Sequence, residues 1–151
     1  MLTNAGLIIA NMDDQRPWGG FYVIEETNAS DFIKIFFQEI DENDLNSSDK
    51  LSPKILIVAP NARLSWQYHH RRAEIWKCLE GPVSVIVSED DVEREVSTLV
   101  VNTMIRLKRG ERHRLIGLDG WGVVAEVWKH TDKNSPSDEE DIVRLQDDYG
   151  R

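Results

Sequence analysis

Apolar residues along this chain come in short runs of four to nine positions, separated by clusters of Gly, Pro, Asn, Asp and Ser. That pattern predicts short β-strands joined by turns rather than a parallel α/β fold. Strands are expected over 7–10, 21–24, 32–40, 54–59, 83–87, 92–96, 98–107 and 123–128. Arg16-Pro17-Trp18-Gly19-Gly20 reads as a turn that presents a tryptophan, and the polar stretch 41–53 as a mobile connecting loop. Near the end, Ser137 followed by Asp138, Glu139 and Glu140 suits the N-cap of a short helix. The expected architecture is a one-domain, all-β sandwich or barrel over residues 1–151, with short helical segments at its periphery.

One segment inverts the usual pattern. On an extended strand Ser65, Gln67 and His69 share a face, and Leu64, Trp66 and Tyr68 share the other. The polar face holds metal-ligand types, as the wall of a barrel with a wet interior would. Residues 70–73 suffice for a tight hairpin, after which Glu74, Trp76 and Cys78 again share one face. His113 follows the turn residue Gly110 on a later strand. Two imidazoles, a carboxylate and an amide oxygen form an N/O set suited to Zn²⁺, Fe²⁺, Mn²⁺, Co²⁺ or Ni²⁺. With Glu74 the only charged ligand, the bound ion keeps net positive charge and hence Lewis acidity. The same residues also suit a polar hairpin with an edge-strand amide, and spacing alone leaves both readings open.

Composition narrows the partners. The formal charge of −9 argues against nucleic acid or an anionic membrane. Against that background Arg71 and Arg72 follow His69, while Arg106, Lys108, Arg109, Arg112 and Arg114 surround His113. Basic groups around a metal motif in an acidic protein point to a small anionic substrate, phosphate above all, with two or three of them expected to face the site. The single cysteine, Cys78, reads as a small core residue, and a reducing cytoplasm is expected, with no signal peptide or apolar span in view.

Segment 64–76, Leu-Ser-Trp-Gln-Tyr-His-His-Arg-Arg-Ala-Glu-Ile-Trp, resembles the first metal motif of the type II mannose-6-phosphate isomerase family of cupins. Three further blocks agree in order: Arg16-Pro17-Trp18-Gly19, Gly110-Glu111-Arg112-His113-Arg114-Leu115, and residues 141–151. The resemblance implies a cupin jelly-roll barrel, metal ligation by Gln67, His69, Glu74 and His113, and interconversion of mannose 6-phosphate with fructose 6-phosphate. It is broken at Arg71 and Ile75, where the family usually has histidines, and at Lys108, where it has proline; 41–53 looks like an insertion. The family domain is often fused behind a sugar-nucleotide transferase, for which 151 residues leave no room, so guanylyltransferase activity is not expected.

An aldose–ketose isomerase moves a proton between adjacent carbons while stabilising an enediolate, which suits one divalent ion, zinc first among the candidates. Arg144, Glu126 and His70 are the catalytic candidates, the latter two as proton carriers. Arg72, Arg16 and Lys34 are the candidates for substrate contact. The expected partner is a small phosphorylated sugar. A non-catalytic cupin that binds such an anion is the alternative, and the Leu64/Trp66/Tyr68 face is a candidate homodimer contact.

Overall fold

A computed structural model describes residues 3–41, 50–132 and 134–150. Eleven strands among them form two antiparallel sheets: β1 (Ile9–Arg16), β2 (Gly19–Ile24), β3 (Lys54–Val58), β4 (Trp66–Tyr68), β5 (Arg72–Glu80), β6 (Val83–Ser88), β7 (Val96–Leu99), β8 (Met104–Leu107), β9 (Arg112–Gly117), β10 (Gly122–His130) and β11 (Val143–Gln146). One sheet has the order β1-β2-β3-β10-β5-β8 and the other β11-β4-β9-β6-β7. The expected jelly-roll barrel is therefore present, with one α-helix among the described residues, α1 (Ala29–Phe36).

Alternation along the strands builds two cores. Outward residues of the six-stranded sheet, Ile55, Ile75, Ala125 and Val127, pack with Phe32, Ile33 and Phe37. Inward residues Leu56, Val58, Trp76, Cys78 and Val124 pack across the barrel against Val83, Val85 and Leu115. Further along each strand the inward row turns polar. Lys54 succeeds Leu56 on β3, Glu126 succeeds Val124 on β10, Glu74 and Arg72 succeed Trp76 on β5, and His113 succeeds Leu115 on β9; all are buried. Glu126 pairs in register with Lys54 on one side and Trp76 on the other, so these polar positions fall at one end of the barrel. The opposite end is filled by apolar side chains such as Val58, Cys78, Val83 and Val124.

Several expectations are corrected. Residues 32–40, read as a strand, begin within α1. Phe32, Ile33 and Phe36 form one stripe of α1, and with Phe37 and Ile40 just beyond its end they cover the outer face of the six-stranded sheet. The turn after Tyr68 is no hairpin, because β4 pairs with β9 and β11 whereas β5 pairs with β8 and β10; the chain crosses there from one sheet to the other. Residues 92–95 lie outside strands, and 98–107 is split between β7 and β8, which belong to different sheets, with Asn102 at a φ of 71° in the turn. The N-terminal strand starts at Ile9 and runs on to Arg16. Its turn to β2 needs Gly19, at φ +136°, where a Cβ would fall 2.0 Å from the Ile57 carbonyl oxygen. Ser137 caps no helix. The loop expected over 41–53 lies largely outside the described residues.

Candidate metal centre

The crossing from β4 to β5 is what assembles the site. It sets Gln67 and His69 against Glu74 from the facing sheet, while the single register pair between β4 and β9 puts Gln67 beside His113. Ligand atoms of His69, Glu74 and His113 lie within 4.8 Å of one another, and all three residues are buried. Glu74 Oε1 stands 3.2 Å from His113 Nε2 and 3.6 Å from His69 Nε2. Gln67 Nε2 is 3.5 Å from the same His113 nitrogen, and its Oε1 accepts from the Ser65 hydroxyl at 2.5 Å. Rotation of the amide exchanges those two atoms, so the amide oxygen can face the cluster.

Each imidazole is oriented by its other nitrogen. Nδ1 of His69 lies 2.7 Å from the Asp141 carbonyl oxygen and Nδ1 of His113 lies 3.1 Å from that of Glu111. A carbonyl accepts only, so both Nδ1 atoms carry the proton and both Nε2 lone pairs point inward. Glu74 Oε1, buried between them, accepts no hydrogen bond among the described residues. The His69 lone pair accepts from Arg72 Nη2 at 3.3 Å, but together with the His113 lone pair and the orphaned carboxylate oxygen it forms a donor set that could hold a metal ion. Burial would raise the Glu74 pKa, but the charge of His69 when that ring is protonated, the charge of Arg72, and hydrogen bonds from His113 and His69 in their protonated state hold it well below the ordinary value; a cation takes the place of those protons.

Arg72 keeps that carboxylate in place. Its Nε donates to Glu74 Oε2 at 3.0 Å, its Nη1 donates to the Ser137 hydroxyl and the Asp138 carbonyl, and its guanidinium lies 3.6 Å from the Trp128 ring centroid. Asp141 completes the brace: its carboxylate accepts the backbone N–H groups of His70 and Arg71, both at 2.9 Å, and the Ser137 hydroxyl at 2.6 Å. Segment 137–141, expected to open a helix, instead pins the β4–β5 crossing.

A cavity of about 620 Å³ adjoins the cluster, with Gln67, Arg72, Glu74, Glu126 and Arg144 in its lining and Trp18, Phe21 and Trp128 among its walls. Glu126 accepts Trp76 Nε1–H at 2.8 Å and Trp128 Nε1–H at 3.1 Å. Burial and the nearby Glu74 charge push its pKa up, against the pull of Lys54 and Arg72. Two neighbouring carboxylates are thus driven in opposite directions.

The other candidates divide. Arg144 lines the cavity, opposite Gln67 in the β11–β4 register. Arg16 is at the cavity edge, paired with Asp13 at 2.8 Å. His70 is exposed, its ring against Tyr68, and Lys34 is exposed on α1; neither lines the cavity. Of the basic residues flanking the histidines only Arg72 does. Arg112 stacks on Tyr68, and Arg114, fully buried, donates to the Leu64 and Gln146 carbonyls and to Glu93. Leu64 and Trp66 are buried within this chain, Trp66 donating to the Asp91 carbonyl. Sequence reasoning missed Lys54, Ser137 and Asp141; only Asp141 fell inside a block that carried the resemblance.

Residues 39–147 match the mannose-6-phosphate isomerase C-terminal family. The chain belongs to that family. Family relatives include the xanthan biosynthesis protein XanB of Xanthomonas campestris, 32% identical over 90% of this chain and 23% of that protein. The mannose-1-phosphate guanylyltransferase of Escherichia coli is 30% identical over 71% of this chain and 21% of its own length. The chain thus spans less than a quarter of these curated relatives. Among solved structures, the capsular polysaccharide assembling protein CapF of Staphylococcus aureus shares the fold, with a TM-score of 0.60 over 93% of this chain and 32% of that one, at 16% identity. No helix among the described residues is long and apolar enough to cross a membrane.

Proposed function

We propose that this member of the family is a metal-dependent aldose–ketose isomerase acting on a sugar phosphate, with mannose 6-phosphate and fructose 6-phosphate as the pair. The observation that carries the reading is the convergence of His69 and His113 Nε2 on the unpartnered Glu74 Oε1 beside a cavity that holds a second carboxylate of raised pKa. In this reading His69, His113, Glu74 and Gln67 hold one divalent ion, zinc by donor set, which draws negative charge from the reacting oxygens when bound.

The chain's own residues do the rest. Glu126 takes the proton from C2 of the aldose and returns it to C1 while the O2 hydroxyl proton passes to O1, and its raised pKa makes it a stronger base than an ordinary carboxylate. Trp76 and Trp128 aim its two oxygens. The aromatic walls exclude water from the carbanionic stage, and Arg144 contacts the substrate from β11. Relatives named for xanthan biosynthesis and for mannose 1-phosphate guanylyl transfer support a mannose-phosphate substrate, while the shared stretch is a minor part of each.

A coupled assay of the zinc- or cobalt-reconstituted protein on mannose, glucose and heptose phosphates tests the proposal. Turnover that is lost in Glu126→Gln, and lost in Arg144→Ala with metal retained, is the expected result. Saturable binding without product across the panel would refute catalysis in favour of a sugar-phosphate-binding module.

A further inference from the structure

Lys54 is a buried cation of the cavity that neither the metal cluster nor the isomerase reading uses. Its side chain is 9% exposed, its Nζ lies 5.5 Å from the Phe21 ring centroid and 5.4 Å from that of Trp128, and Glu126 Oε2 is 4.0 Å away. Its one hydrogen bond among the described residues goes to Glu139 Oε1 at 2.7 Å. Glu139, however, is 68% exposed. An ion pair with one member in water contributes little to stability, and an apolar side chain of similar length would fill the wall between the two rings as well. Stability therefore does not explain a desolvated ammonium here.

The two neighbouring cations differ in what they have left to offer. Arg72 is committed to Glu74, Ser137 and Asp138. The hydrogen-bond partner of Lys54 is a carboxylate that sits at the cavity lining and can swing into solvent without breaking the fold, since Glu139 lies in a turn between the braced residues Ser137 and Asp141. Such a carboxylate occupies the place of a ligand's anionic group.

We propose that Lys54 is the anion-binding group of this cavity and Glu139 its displaceable internal counter-ion, so that a phosphate monoester enters by exchanging for the Glu139 carboxylate. The exchange replaces one negative charge by nearly two on a strongly accepting group, which favours the phosphate; a neutral sugar cannot make it. The proposal rests on the sugar-phosphate reading of the cavity but concerns binding alone.

Titration calorimetry with inorganic phosphate, mannose 6-phosphate and mannose, on metal-loaded wild type, Glu139→Gln and Lys54→Met, separates the two. Removing the competitor in Glu139→Gln should tighten both phosphates roughly two- to five-fold, the range open to a half-solvated pair. Lys54→Met, which keeps the apolar stem, should weaken both by about ten-fold or more. Metal content by elemental analysis should not change in either variant, and mannose should be indifferent to both. Phosphate affinities equal to wild type in the two variants, or no phosphate binding to any of the three proteins, would overturn the assignment. The expected pattern without turnover of any sugar phosphate would leave Lys54 in its role and remove the isomerase; turnover with phosphate binding blind to both substitutions would do the reverse.

Discussion

Replacing Asp141 with alanine should damage stability and metal affinity together, because one carboxylate braces both. It accepts two backbone N–H groups at 2.9 Å, from His70 and Arg71, and the Ser137 hydroxyl at 2.6 Å, while the main-chain carbonyl of the same residue fixes His69 Nδ1. Each buried donor left without an acceptor costs about 1–3 kcal/mol. Water can reach the exposed side of the crossing at His70 and recover part of that. A net loss of about 3–5 kcal/mol follows for Asp141→Ala, and roughly half for Asp141→Asn, which keeps one acceptor oxygen. Loosening the carbonyl that orients a ligand imidazole should also weaken metal binding by roughly 10–100-fold. Urea unfolding and a chelator competition titration read the two effects.

The pH dependence has a definite sign. Burial raises the Asp141 pKa, but the Ser137 hydroxyl, the His70 and Arg71 amides and Arg72 outweigh it and hold the value below normal. A depressed folded-state pKa contributes stability in full above the unfolded value of about 3.9 and loses it as pH falls through the lower, folded value. The stability gap between wild type and Asp141→Ala should thus stay level from pH 8 to about 5 and close only below about pH 4. A loss under about 1 kcal/mol with wild-type metal affinity would refute the brace.

Other outcomes follow from the same geometry. Glu74→Ala removes the only charged ligand and should lower metal affinity by more than roughly 100-fold, beyond the cost of losing an outer partner, as read by elemental analysis after dialysis. Arg114→Met leaves the buried Leu64 carbonyl without its donor and releases the exposed Gln146 carbonyl to water, and should cost about 1–3 kcal/mol in urea unfolding, with the C-terminal strand β11 gaining amide exchange first. Phe32→Ala should cost about 3–5 kcal/mol by emptying the contact between α1 and the six-stranded sheet, yet leave metal content unchanged because that contact is on the outer face.

Phe32 also shows how far the pattern could be read. Residues 32–40 are dense in β-formers, but Phe32, Ile33, Phe36, Phe37 and Ile40 recur with helical spacing, and a sheet with one open apolar face outweighs local propensity. His113 is a different case: spacing placed it just past the turn residue Gly110 but left its role open, the family resemblance named it a ligand, and the structure sets it on β9 with Leu115 as the next inward residue. Lys54 was not legible at all. A lysine opening an apolar run looks like a strand-end surface charge, and only the register of β3 with β10 turns it inward beside Glu126.

The sequence by itself determined the all-β class, several strands such as β2, β3, β6 and β10, the alternation that puts Gln67 and His69 on one face, and the donor set available there. These depend on local geometry, the two-residue period of a strand and the turn residues that end it. Tertiary structure alone decided that β4 and β5 belong to opposite sheets, that segment 137–141 closes over their junction, and that Arg72 is a clamp while Lys54 faces the cavity. Those outcomes depend on which strand lies beside which, and strand pairing is fixed by contacts between residues distant in the chain, whose identity no local window contains.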